Sequence, residues 1–380
     1  MRLTTEQADL RTAVRGLLER YPVGLEPDWD AERAVWRRLC TEIGVAGLAI
    51  PERFGGSGAG SVEVHVVMAE LGRSLIAAPM LGSAVLATEA LLASGDEAAC
   101  QRLLPQLADG NETAALAWTT ASGRFAPAEV AFRAVPQRGS QNSSADGEAH
   151  YLLDGEAHYL LDGEAHYVLD GEQATVLLAV AALGDGTVGL FEIDRNQPGI
   201  AQSASTTVDD ARRLSVIRLT RAVGQRIGSE AGLDQVLMAG CLALSAELAG
   251  AAAAALEQTV AYSKVRIQFG RPIGSFQALQ HRMAEMHVLA ESAASISLAA
   301  AQAAQQGAPD AGLRAAAAKA YCAEALQHVS AEMIQLHGAI GMTWEHPAHR
   351  YFKRSHSAAM LLGTPAAHRA RIADVVIDGG

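Results

Sequence analysis

Little in this sequence points to metal, disulfide or nucleic-acid chemistry. It has four cysteines (Cys40, Cys100, Cys241, Cys322), none in a C-x-x-C pair. Thiols scattered in this way argue against a zinc site or a disulfide scaffold and suit a reducing cytoplasm. Basic residues are in the minority, 30 Lys and Arg against 42 Asp and Glu. The resulting formal charge of −12 disfavours non-specific nucleic-acid binding. Met1–Arg20 is charged and amphipathic throughout, unlike a secretion signal. Long hydrophobic runs are also missing. The most apolar stretch, Gln235 to Leu256, is broken by Glu247 and rich in Ala rather than Leu, so no membrane span is expected. These absences leave a helix-rich cytoplasmic protein, long enough at 380 residues for two or three domains.

What is present falls into three zones. Up to about residue 112 the apolar residues recur at helical spacing: Leu10, Val14, Leu17 and Leu18, then Trp36, Leu39 and Ile43, then Val66, Met68 and Leu71. From 113 to 222 short β-type runs take over (Thr175–Ala182, Gly189–Ile193, Ser215–Leu219), separated by Gly, Asp and Pro. From 223 to 380 the chain is again helical, with Ala-rich segments near 231–264, 276–305 and 311–337 whose smooth faces suit a bundle.

The middle zone carries an octapeptide repeat near 146–169. Asp146–Leu153 reads DGEAHYLL, Asp154–Leu161 repeats it, Asp162–Leu169 differs only at Val168, and Asp170-Gly171-Glu172 begins a fourth unit. A period of eight fits a short strand and an Asp-Gly turn, so a β-meander inserted by tandem duplication is expected. The recurring His150, His158 and His166 match no standard metal-ligand set, and no metal is expected.

Chemistry is concentrated in four ordered blocks. Tyr262-Ser-Lys-Val-Arg266-Ile-Gln268-Phe269-Gly270 leads into Pro272-Ile and Phe276-Gln-x-x-x-His281. An arginine after a long helix can pair with phosphate oxygens, and Phe-Gly supplies a packed ring followed by a tight turn. Gln335-Leu-His-Gly338-Ala339-Ile-Gly341 forms a second block, followed by Arg354. Trp36…Gly44-Val-Ala-Gly-Leu-Ala-Ile-Pro51-Glu-Arg-Phe-Gly-Gly lies near the start, and Ala117-Trp-Thr119-Thr and Tyr167-Val-Leu-Asp-Gly171 lie in the middle. Taken one at a time these are ordinary: Arg266 could be a surface ion-pair residue and Gly338–Gly341 a helix C-cap. Together, in this order and over almost the whole chain, they resemble the acyl-CoA dehydrogenase family.

That resemblance implies an α+β fold with an N-terminal helical domain, a central β-domain and a C-terminal four-helix bundle, assembled as a homo- or hetero-tetramer. It implies FAD as cofactor and an acyl-CoA thioester as substrate, with electrons passing on to an electron-transfer flavoprotein. Arg266, Gln268 and Phe269 would meet FAD across a subunit interface, and Gln335, Gly338 and Ala339 would line its adenine side. Thr119, Tyr167 and Thr364 would lie at the flavin. The implied reaction removes the α-proton to a carboxylate while the β-hydride goes to flavin N5.

The carboxylate is the departure. Where the family's E-G-T is expected the chain reads Leu361-Leu362-Gly363-Thr364, and the family's other base position, near Gly240-Cys241, is empty too. Glu247 is the one carboxylate within Val236–Leu256. An isolated carboxylate buried there would have a raised pKa, as a general base requires. Equally, Glu247 could be an edge residue, paired or solvated; roughly 10 Å of helix separates it from the usual position, a displacement that would normally abolish alignment. Leu169 also replaces the threonine expected near flavin N5. Three functions stay open: a dehydrogenase, alone or as one subunit type of a heteromer, with Glu247 as base; a catalytically silent subunit completing a neighbour's FAD site; and another flavin reaction on the same scaffold.

Overall fold

The computed structural model describes residues 2–22, 26, 28–126, 129–137, 158–229 and 231–377. The N-terminal part contains α1 (Thr5–Arg20), α2 (Trp29–Arg38), α3 (Ser61–Ser74), α4 (Thr88–Ala93) and α5 (Glu97–Ala108). Local signals fix their ends. Thr4 and Gln7 form a reciprocal capping box on α1, and Asp28 and Asp96 accept from backbone N–H groups at the starts of α2 and α5.

The middle holds β1 (Ala114–Ala117), β2 (Phe132–Pro136), β3 (His158–Leu169), β4 (Val176–Ala182), β5 (Val188–Ile193), β6 (Ile200–Ala204) and β7 (Leu214–Ile227). Strands β4, β2, β3, β7 and β5 pair in that order, and β5 pairs back with β4, closing a ring; β1 adds to β4 and β6 to β7. Leu177, Ala179 and Ala181 of β4 pack inside this ring with Phe132, Leu161, Phe191 and Ile217, whereas Leu178 and Val180 join the helical core. Burial on both faces explains why β4 is an unbroken apolar run.

The repeat does not build the expected meander in its described part. The first unit and half of the second, with His150, lie outside the described residues. The third unit runs straight through its Asp-Gly pair, because β3 is one continuous strand held by β2 on one side and β7 on the other. Asp162 accepts the backbone N–H of Arg221 at 2.8 Å instead of starting a turn. Gly163 takes φ +144° in a bulge where a Cβ would lie 2.2 Å from the carbonyl of Ala131. Two-sided pairing has overridden a local turn signal. The next Asp-Gly, Asp170-Gly171, lies past the last β3–β7 pair, Leu169 with Leu214, and does turn.

The C-terminal part comprises α6 (Leu233–Val265), the two-residue strands β8 (Ile267–Gln268) and β9 (Arg271–Pro272), α7 (Gln277–Gln305), α8 (Ala311–His337), α9 (Ala348–Met360) and α10 (Pro365–Ile377). Helix α6 is long and apolar enough to cross a membrane by composition, but 83% of its most apolar window is buried inside the molecule, as in a core helix. It crosses α3 at almost no distance. A Cβ on Gly72 would meet the backbone of Glu247, and one on Gly250 the backbone of Ala69, each at 2.0 Å or less. This crossing fixes where the Glu247 side chain emerges.

Two buried histidines give the fold a pH signature. Burial pushes His65 and His368 down to about 4, so both are neutral when folded. Below the ordinary value of 6.5 the unfolded chain takes up protons there and the folded chain does not. Stability is therefore expected to fall as pH drops from 6.5 towards 4, by roughly 1.4 kcal/mol per pH unit for each histidine. Thermal midpoints of wild type and His65→Gln between pH 7 and 5 check this, and the variant's curve should be the flatter. Parallel curves would remove His65 from the account.

Candidate active site

The two positions at which the resemblance implies a base meet at one point. Leu362 follows the end of α9 in a left-handed conformation (φ 57°) and is 1% exposed. A Cβ on Gly240 of α6 would sit 2.7 Å from Leu362 Cδ1 and 2.6 Å from Leu86 Cδ2. Leucine therefore packs onto glycine where the resemblance implies a carboxylate. Leu361 and Leu362 line a narrow cavity with Thr119, Tyr167, Leu169 and Leu86. The β-region reaches it through a bulge between Ala165 and Val168, with Tyr167 at φ 58° and the His166 N–H donating to the carbonyl of Thr119 at 2.8 Å.

The turn carrying Leu362 is held from three sides. Lys319 of α8, fully buried, donates from Nζ to the carbonyls of Ala359 (3.2 Å) and Gly363 (3.1 Å). Burial lowers its pKa to about 8. His368 Nε2 donates to the carbonyl of Leu362 at 3.0 Å. Thr364 Oγ1 accepts the N–H of Ala367 at 3.1 Å and caps α10, leaving its hydroxyl proton free to donate.

Glu247 is not isolated, contrary to the premise drawn from the sequence. It is 5% exposed, and Oε1 accepts from both Arg212 and Arg354, the latter at 2.7 Å. Arg354 also donates to Asp209 Oδ2 (2.6 Å) and to the carbonyl of Ala211 (2.9 Å). Burial opposes ionisation of Asp209, but Arg354 and Arg212 outweigh it and hold the carboxyl below its ordinary range. The cluster ties α6, α9 and the loop before β7 together with buried charge-assisted bonds. Both guanidinium groups meet Oε1, which anchors Glu247 across these three elements, while Oε2 accepts from no side chain among the described residues. The sequence reading missed Arg212 and Asp209, although Asp209-Asp210-Ala211-Arg212-Arg213 is a visible charge cluster.

A separate groove gathers Arg266, Gln268, Gln335, Gly338 and Ala339 with Tyr262, Arg282 and His337. Arg266 caps the end of α6 and Gly338 that of α8. Phe269 is not the packed ring expected. It is 91% exposed, because Phe269 and Gly270 both take positive φ in the tight β8–β9 turn, which projects the side chain outward. His337 is 3% exposed and stacked between Tyr262 and His346. Its Nδ1 donates to the carbonyl of Met333 (2.7 Å), leaving Nε2 an acceptor with no partner.

Comparison with known proteins agrees with this geometry. The family description "Acyl-CoA dehydrogenase, N-terminal domain" matches residues 4–111, and "Acyl-CoA dehydrogenase, C-terminal domain" matches 231–377. Acyl-CoA dehydrogenase IpdE2 of Mycolicibacterium smegmatis is 32% identical over 376 residues, covering 97% of this chain and 98% of the relative. The chain belongs to the acyl-CoA dehydrogenase family. IpdE2 of Mycobacterium tuberculosis is 33% identical, covering 95% of this chain and 94% of the relative. Among solved structures, the Tcur3481-Tcur3483 steroid ACAD superposes with a TM-score of 0.84 at 28% identity, covering 98% of each chain. The ChsE4-ChsE5 complex of Mycobacterium tuberculosis gives 0.85 at 25%, covering 99% of this chain and 98% of that one.

The family is one of FAD-binding flavoproteins. The groove's donor set suits such a cofactor. Arg266 can face phosphate, Gly338 leaves open space at its backbone, and His337 Nε2, without a partner among the described residues, can take a donor, whereas Arg282 is already paired with Glu332.

Proposed function

We propose that this chain is the base-less subunit of a heteromeric acyl-CoA dehydrogenase and completes the FAD site of a catalytic partner. The observation that carries this is Leu362 seated on Gly240. Both positions from which the family draws a base are apolar, and they are packed against each other. In the resulting tetramer Arg266 and Gln268 face the FAD phosphates, and Gln335, Gly338 and Ala339 its adenine end. Phe269 leaves its own chain to meet the neighbour. Bound FAD supplies the hydride acceptor for α,β-dehydrogenation of the acyl-CoA, and an electron-transfer flavoprotein drains it. A two-chain assembly and a steroid-type substrate are supported by the similarity to the steroid ACAD and the ChsE4-ChsE5 complex.

Purified alone, the chain should be colourless, and it should gain flavin when co-expressed with its partner. Arg266→Ala in the assembled protein is expected to weaken FAD retention about ten- to a hundredfold, the effect of losing a charge-assisted bond. Flavin per heteromer, read from visible absorbance after dialysis, measures this. A chain that is yellow alone, and whose anaerobic bleaching by acyl-CoA vanishes in Glu247→Gln, would overturn the proposal in favour of Glu247 as base.

A further inference from the structure

A second groove, of about 310 Å³, lies between α2 and the β-region, and nothing in the dehydrogenase chemistry uses it. Helical spacing puts Trp29, Arg33, Trp36 and Arg37 on one face of α2. Arg33, Trp36 and Arg37 line the groove with Arg213, Asn111 and Thr175. The acid in the lining, Asp170, is already paired with Arg213 at 3.2 Å, and Arg213 also lies over the Trp29 ring at 4.9 Å. Arg33 has only the exposed Asp30 at 3.9 Å, and Arg37 makes no ion pair among the described residues. The groove therefore carries an excess of about two positive charges on a chain whose net charge is −12.

Trp36 is the second, independent observation. Its ring lines the groove and is 3% exposed, yet its Nε1–H has no acceptor among the described residues. A buried donor left unpaired costs about 1–3 kcal/mol, and an acceptor in the groove would remove that cost. Guanidinium forks one turn apart and a buried indole N–H together match a tetrahedral oxyanion, while the Thr175 hydroxyl already donates to the carbonyl of Thr113 and the Asn111 amide to Asp109. We propose that this groove is a binding site for a phosphate monoester.

The phosphate could be free or the terminal monoester of a coenzyme A. Purified full-length chain is titrated at constant ionic strength with inorganic phosphate, coenzyme A and dephospho-coenzyme A, following tryptophan fluorescence and heat. Saturable binding is expected, weakened at least about tenfold in an Arg33→Glu, Arg37→Glu double variant, whose exposed positions leave the thermal midpoint unchanged. Trp36→Phe should weaken it less and abolish the fluorescence change. Coenzyme A binding better than its dephospho form through these arginines would identify the coenzyme as the source, and phosphate alone binding as well would identify the free anion. No saturable binding, or binding indifferent to the double variant, overturns the site.

Discussion

Glu247→Leu is expected to lower stability by about 3–5 kcal/mol, the range for removing one partner of a buried ion pair. Arg212 and Arg354 would be left facing one another with their side chains 8% and 3% exposed. Burial already disfavours the charge on Arg212, which only Glu247 and the nearby aspartates offset. Asp209 would still hold Arg354, so the loss should centre on Arg212 and on the docking of the loop before β7 against α6. Because unfolding of a chain this size is not a single two-state step, the thermal midpoint and the first transition in denaturant are the useful measures. Glu247→Gln separates the two readings of this residue. As an anchor, it loses stability while the assembled enzyme keeps its turnover. As a base, it loses that stability as well, because the ion pairs are the same, and turnover collapses by orders of magnitude.

Those two readings show where the sequence stops being informative. The Ala-rich segments at 231–264, 276–305 and 311–337 correspond to α6, α7 and α8 within two residues, because helical periodicity is a local property. The ordered blocks identified the family, and five candidate cofactor residues from two of them, the two groups at least 67 positions apart, line one groove. What escaped was the partner of each singled-out side chain. Glu247 looked isolated because Arg212 and Arg354 lie 35 and 107 residues away. Phe269 looked like a packed ring because a two-residue turn with positive φ at both positions is not visible in Phe-Gly alone. Asp162-Gly163 read as a turn because its two flanking strands come from elsewhere in the chain. Lys319, a lone charge inside Ala-Ala-Ala-Ala-Lys-Ala, was the one missed signal readable locally, since such a helix leaves a lysine few solvated faces.

On the proposed reading, in which this chain is the base-less subunit, Leu362→Glu is expected to create a proton acceptor. The substitution recreates Glu-Gly-Thr in a turn that already has its geometry: Lys319 and His368 hold the flanking carbonyls, and Thr364 caps α10. It also lifts a leucine off Gly240, opening space towards Thr119 and Tyr167. A carboxyl in that apolar cavity pays for desolvation, and the same desolvation raises its pKa towards the value a base needs. The assembled heteromer should then show a second population of flavin reduced by acyl-CoA, faster than in the unmodified subunit by about 10²–10⁴, the usual contribution of a positioned base. Anaerobic stopped-flow absorbance measures it, with the partner's own base removed so that only the new one reports. Glu247→Gln in the same background should leave the gained rate intact. If flavin content and thermal midpoint hold but no new reduction appears, the cavity behind Leu362 is not an acyl site, and the subunit's silence has a cause beyond its missing carboxylate.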